Sequence, residues 1–441
     1  AQDSAEGQYD VTTTDGGMKI VAEDGADIEA VGFAGSIALQ FAAPGVTIAI
    51  GVSLAENDIY NDVHAYVDQA KVSSASAFDL ITHSDSIVDV YSIAAAVSAS
   101  FSLDAVALSG AGANSFNTSN KTVRTSITDG SIVDAAGDML VQATDISDSY
   151  ADVGSGAFNL GLVGGSISVS IAEQIISNTI ESYVDNSVVS SASGSVSVLA
   201  DSAATADALT VATSLAVSIG GAGAGGRAKS TANISVSAYA SDTAQLSAGN
   251  DVTIRASSDH QATSESYGIA GGALVVGGTR SVSEANGDVH AYAGGSITAG
   301  RDVFILVDGN HDADADATAL AGGTAAAGAG AEALATASPT LQTTAAGVIN
   351  AAGDVVIETL SQGDAEADSY GISASVFATV AVSLATATVS PTISTGIADG
   401  ARVTAGDDID IASYHNVDEE GLSISKGADA YGLAPAGALL G

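Results

Sequence analysis

Eight short segments of this 441-residue chain repeat one pattern at nearly constant separation, and that pattern restricts the fold more than anything else in the sequence. One copy reads Ile297-Thr-Ala-Gly-Arg-Asp302-Val303-Phe-Ile305-Leu-Val307. Others read Leu246-Ser-Ala-Gly-Asn-Asp251-Val252-Thr-Ile254-Arg-Ala256 and Val403-Thr-Ala-Gly-Asp-Asp408-Ile409-Asp-Ile411-Ala-Ser413. The anchoring apolar residues are Met18, Phe78, Met139, Val196, Val252, Val303, Val355 and Ile409, so successive anchors lie 60, 61, 57, 56, 51, 52 and 54 residues apart. Two positions after each anchor stands an aliphatic residue, from Ile20 to Ile411, while the residue between them varies from Lys19 to Phe304. One constrained face and one free face at period two describe a half-buried strand. The Ala-Gly before the anchor reads as a turn, where glycine tolerates positive φ.

Composition narrows the packing. Hydrophobic residues reach 46%, yet aromatics are 5%, tryptophan and cysteine are absent, and glycine occurs 50 times. So few large side chains cannot fill a thick globular core, whereas Ala and Val suit a thin one between closely stacked strands. The expectation is an all-β parallel β-solenoid, or β-helix, of about eight tandem repeats of 51–61 residues. Approximate limits are 1–56, 57–120, 121–178, 179–233, 234–286, 287–339, 340–391 and 392–441, in one continuous domain read as part of a longer chain.

Further columns share the register. A short strand precedes each motif, as in Val63-His-Ala-Tyr66, Ile180-Glu-Ser-Tyr183, Val236-Ser-Ala-Tyr239 and Val289-His-Ala-Tyr292. After each motif comes a Gly/Ala/Ser-rich arm, such as 317–339 or 370–391. Faces with so little side-chain volume can close a flattened solenoid internally or bring solenoids together laterally.

The Ile-x-Ala-Gly-x-Asp-Val-x-Ile core resembles the repeats of filamentous-haemagglutinin-type exoproteins, over roughly ten residues of each repeat. That resemblance implies a right-handed parallel β-helix on a bacterial surface, with adhesion a common role. The chain departs from that family in period, because family coils take about 20 residues. Each repeat here is therefore two or more coils, or one larger coil with an extra hairpin, and the Gly/Ala arm is the expected source of the excess.

Candidate chemistry is sparse. Asp312, Asp314 and Asp316 stand at the same offsets from Val303 as Asp364, Glu366 and Asp368 from Val355. Alternate residues share a face, so stacked repeats would set two rows of three acids about 4.8 Å apart. Calcium, with its six to eight oxygen ligands, would relieve their repulsion; the other reading is a solvated acidic face. Tyr66, Tyr183, Tyr239 and Tyr292 form a column able to stack on a sugar or simply to pack along the sheet. The six histidines are dispersed and expected at the surface. No catalytic or phosphate-binding motif is present, and regular repeats leave no unique place for an active site, so an enzyme, such as a polysaccharide-degrading β-helix, is not expected.

The net charge of −41 repels nucleic acid and anionic membranes. The chain shows no unbroken apolar run of membrane-spanning length. Absence of cysteine fits an exported bacterial protein. The expected role is a structural segment of a secreted filament, stalk or matrix fibre, partnered by flanking repeats or by further copies, end to end or laterally. An adhesin recognising surface glycans is the alternative.

Overall fold

The computed structural model describes residues 2–3, 9–41, 44–102, 104–417 and 421–439; the outer limits placed at residues 1 and 441 lie outside these. Among the described residues there are strands and no helix, hence none long and apolar enough to cross a membrane. The protein is all-β, built from long strands that pair in parallel.

Each of the first seven passes uses four stretches of strand; among the described residues the eighth has Ile409–His415, Ala428–Leu433 and Ala436–Ala438, all paired with the outbound strand of the seventh. In the second pass an outbound strand, Phe78–Ser100, is followed by a return strand, Ala105–Ser119, a corner strand, Thr122–Thr128, and a closing strand, Ile132–Ala135. The third pass repeats this with Met139–Leu160, Val163–Ile176, Thr179–Val184 and Val188–Ser191. In the fifth, the first three stretches merge into Val252–Ala293, and Ser296–Ala299 closes. The first pass begins at Met18–Gln40 and Gly45–Ile59, the fourth at Val196–Val217 and Gly221–Ala240, the sixth at Val303–Ala337, and the seventh at Val355–Ser375 and Ala378–Val389.

Every anchor pairs with the next. Met18 lies beside Phe78, Phe78 beside Met139, and the register continues through Val196, Val252, Val303, Val355 and Ile409. One repeat thus returns the chain alongside itself once. The tyrosine column holds as well, with Ser126, Thr344 and Gly396 in the same row.

Two interiors result. Where the start of the outbound strand meets the corner and closing strands, three walls enclose a head filled with large aliphatics such as Leu80, Ile127, Val133, Ile180, Leu246 and Ile254. Burying a side chain of this size stabilises by about 1.5–3 kcal/mol. Beyond the head the outbound and return strands lie against each other as a two-layer arm. Its core is alanine, as at Ala313, Ala315 and Ala333, with serines bonded across the layers: Ser155 to Ser168 at 2.6 Å and Ser264 to Ser283 at 2.7 Å. The backbones approach so closely that a Cβ on Gly371 would lie 2.1 Å from the Val382 carbonyl oxygen, and one on Gly51 2.6 Å from that of Ala95.

Where head meets arm, a polar seam runs through the passes. Asn61, Lys121 and Asn178 occupy one column between return and corner strands, linked through the backbone. Asn61 donates to Asp24 at 2.7 Å. Lys121 is fully buried and reaches Asp145 at 2.6 Å, Ser84 at 2.9 Å and Ser86 at 2.8 Å. Asn178 donates to Asp145 at 2.8 Å. The next occupants of that column are Ile234 and Gly287, and Gly287 at φ +152° has no room for a Cβ, which would lie 2.3 Å from the Ile234 carbonyl oxygen. The polar group then comes from the opposite wall, as His260 and His311 on neighbouring outbound strands. Their rings lie 5.0 Å apart, edge to face, and both are buried. The expectation of surface histidines is wrong for these two, because doubling back of the arm covers a position that polar neighbours suggest is open.

Candidate functional site

The two acidic rows pair as expected: Asp312 with Asp364, Asp314 with Glu366 and Asp316 with Asp368, all on the outer face of the outbound strands. The fold enlarges them. Glu265 lies beside Asp316 in the preceding pass, and Asp207 and Asp152 occupy the same band in the fourth and third. The outcome is an acidic ribbon crossing the passes. Sequence reasoning found only the two rows that match three for three, since elsewhere single acids alternate with Thr263, Leu209 and Tyr150.

Crowding is relieved in two ways. Lys426 places its Nζ 2.7 Å from Asp312 Oδ1 and 3.0 Å from Oδ2. Asp314 and Asp316 hold protons more tightly. Burial, then the charges of Asp316 and Glu366, pushes Asp314 up to about 6; burial, then Asp368 and Glu265, pushes Asp316 up to about 6. Asp207 and Asp152 are also raised, first by burial and then by neighbouring carboxylates. Among the described residues no group of three or more His, Asp or Glu side chains is gathered to hold a metal ion. The six acids stand side by side on one flat face, a donor set suited to bridging cations more than to a cage.

The tyrosine column stands on the outer face of the corner strands. Tyr183 and Tyr239 stack with ring centroids 4.8 Å apart and planes 1° from parallel. Tyr66 lies past the small Ser126, exposed, with His64 at 4.9 Å. Tyr292 donates to Asp242, and that bond raises its hydroxyl to about 12. Beside the stack, Arg124 and Glu181 form an ion pair at 2.8 Å. Flat aromatic faces next to paired polar groups give this strip both stacking area and hydrogen-bonding capacity.

A third feature had only a faint signal in the sequence, the alternating glycines of Gly221–Ala240. The outer face of the return strands carries an apolar groove of about 840 Å³, floored by Gly221 and Gly223 and flanked by Ile167, Leu274 and Val276. Those flanking side chains are 56–68% exposed.

No family model, no curated protein and no solved structure matches this chain.

Proposed function

We propose that the passes are successive coils of one β-solenoid, eight in this chain, and that the solenoid is a structural segment of an extracellular bacterial filament, stalk or matrix fibre. The observation that carries this reading is the parallel register of the anchors from Met18 to Ile409, which adds one layer per repeat. Nearest-neighbour stacking of this kind sums stability along its length. Among the described residues, the first-pass strands over 18–39 and 45–59 pair in register with the second pass alone, an edge able to template another layer. That layer is a flanking repeat of the same polypeptide or the end of another copy.

The dimensions sharpen the prediction. An outbound strand spans roughly 70 Å at about 3.3 Å per residue, while eight layers at about 4.8 Å rise only roughly 40 Å. Axial assembly therefore builds a ribbon wider than the rise of one chain. Electron micrographs of the purified protein should show ribbons about 70 Å wide, with the 4.8 Å repeat along their length. Separate compact particles with no tendency to elongate would end this reading. Calcium is proposed as a bridging counter-ion between the Asp314–Asp316 and Glu366–Asp368 rows; a melt unchanged by excess EDTA removes it. The location outside the cell rests on the resemblance of the anchor motif to filamentous-haemagglutinin-type repeats and on the lack of cysteine.

A second reading, adhesion to surface glycans, is favoured by the Tyr183–Tyr239 stack beside Arg124–Glu181. It predicts a glycan-array signal that vanishes in the Tyr183→Ala/Tyr239→Ala protein.

A further inference from the structure

The glycines of the return strands fall into two groups. Those facing inward, such as Gly51, are held by the opposite backbone, as described above. Most of those facing outward are not, Gly165 excepted, whose Cβ would lie 3.1 Å from the Gly221 carbonyl oxygen. Around Gly112, Gly278 and Gly330 an added Cβ would meet nothing within 4 Å, and around Gly223 and Gly225 only ordinary contact at 3.8 and 3.7 Å. None of these five has a positive φ. Glycine within a strand costs about 0.5–1 kcal/mol relative to alanine, and nothing inside this chain requires it here. In strands such residues mark places where another backbone or ligand comes close.

The large residues among them are arranged as a complement. In register across passes two to seven, three adjacent outward columns can be reflected about the line between the fourth and fifth passes; Ile48, Ile50 and Val52, the first-pass members of these columns, have no counterpart among the described residues. In the first column Gly221 then faces Leu274, and Leu108 faces Ala378. In the second, Gly223 faces Val276, Ile167 faces Gly328 and Gly110 faces Val380. In the third, Val169 faces Gly330 and Gly112 faces Val382. The remaining two pairs are small on small, Gly165 with Ala326 and Gly225 with Gly278. No large residue meets another.

We propose that this face packs against the same face of a second copy, about a two-fold axis parallel to the strands and passing between the fourth and fifth passes. Rotation about such an axis keeps each column over itself and reverses the order of the passes, which is the reflection above. A self-complementary patch of this kind is what a two-fold interface requires. Its area is small but sufficient: three columns at about 6.6 Å by six facing layers at about 4.8 Å cover roughly 570 Å² per copy, or about 1,100 Å² in all, against the ~1,000 Å² that a specific interface should clear. The three columns carry no ionisable residue in a chain of net charge −41; charge begins in the next column, where the two-fold sets Arg227 opposite Arg280, whose charge is met within its own chain by Glu332 at 3.0 Å. The inference rests on the layered register and not on axial assembly.

Sedimentation of the full chain should give a dimer, or paired ribbons where axial stacking occurs. Gly225→Phe and Gly330→Phe add bulk where the chain itself has space, so both should fold with an unchanged or raised Tm yet sediment at half the mass, or halve the mass per unit length of ribbons. Ribbon length reports on axial stacking and mass per unit length on this face, so the two readings fail separately. The chain has no cysteine, which permits a clean cross-link. Gly110→Cys/Val380→Cys lie five layers apart within one chain, so a short bis-maleimide can join them only between copies. Ala95→Cys/Ile372→Cys, in the same two passes on the opposite face, should stay uncoupled. A wild type that is monomeric across the concentration range overturns the proposal, as does dimerisation untouched by both phenylalanines. Equal cross-linking of the two cysteine pairs, or a monomer whose groove takes up a fluorescent fatty acid, overturns it too.

Discussion

The head and the arm share one backbone register, yet they are packed by opposite rules. In the head three walls stand apart, and Leu80, Met139, Ile180 and Ile254 fill the space between them. In the arm two walls touch, and most inward positions hold small residues such as Ala333 and Ser264, with valine in places, as at Val88, Val153 and Val275. The number of walls determines the size of residue at each inward position, and strand geometry is the same in both. The seam between them holds Lys121–Asp145 and the buried histidines.

Breaking the seam should have the largest effect. Lys121→Met leaves Asp145 buried without its cation and should destabilise by about 3–5 kcal/mol, while adding Asp145→Leu should restore most of that loss. Denaturant melts of the single and double variants measure both. Next, the head should be sensitive to loss of volume and the arm to gain. Ile254→Ala should lower stability by about 2–5 kcal/mol, and Ala333→Leu by about 1–3 kcal/mol through overpacking. Comparable losses from Ile254→Ala and from a parallel Ala333→Gly would dissolve the distinction.

Acidity separates the seam from the ribbon. His260, held at about 4 by burial, and His311, lowered likewise, bind fewer protons folded than unfolded. Their contribution is complete above about 6.5 and is lost as pH falls toward 4. Asp314 and Asp316, raised to about 6, bind more protons folded, so their contribution is present below about 3.9 and is lost as pH rises through 6. Thermal melts of His260→Gln/His311→Gln should therefore lose the decline on the acid side, and Asp314→Asn/Asp316→Asn should lose the decline between pH 4 and 6. The smallest effect belongs outside both interiors. Tyr239→Leu, which removes the stack on Tyr183, should reduce stability by about 0.5–1.5 kcal/mol.

The head was legible before any coordinates because its anchors are large, alternate strictly and recur at one spacing. The tyrosine column and the two acidic rows were legible for the same reason. The arm was legible only as an excess of small residues. In Gly-Ala-Gly-Ala both faces are small, so alternation does not reveal that Ala222 and Ala224 point inward while Gly221 and Gly223 point out. The seam was hidden more deeply. Lys121 meets Ser84 from 37 residues away and Asp145 from the following pass, and only closure of the return strand joins them. No local pattern distinguishes His260 from an exposed histidine in a polar stretch. The reach of the acidic ribbon to Glu265 and Asp207 depends on inter-pass register at positions where sequence identity is lost.

Constant register also bears on how long such a chain can be. Removing residues 252–302, one whole period, would rejoin equivalent positions and leave every remaining ladder intact. Edge-to-edge growth would not sense the change. The return face would: with that layer gone, a line drawn after the fourth pass brings Gly223 opposite Gly328 and Ile167 opposite Val380. Stacking alone tolerates any tally of layers, whereas the proposed meeting of faces depends on which layers stand on either side of its axis.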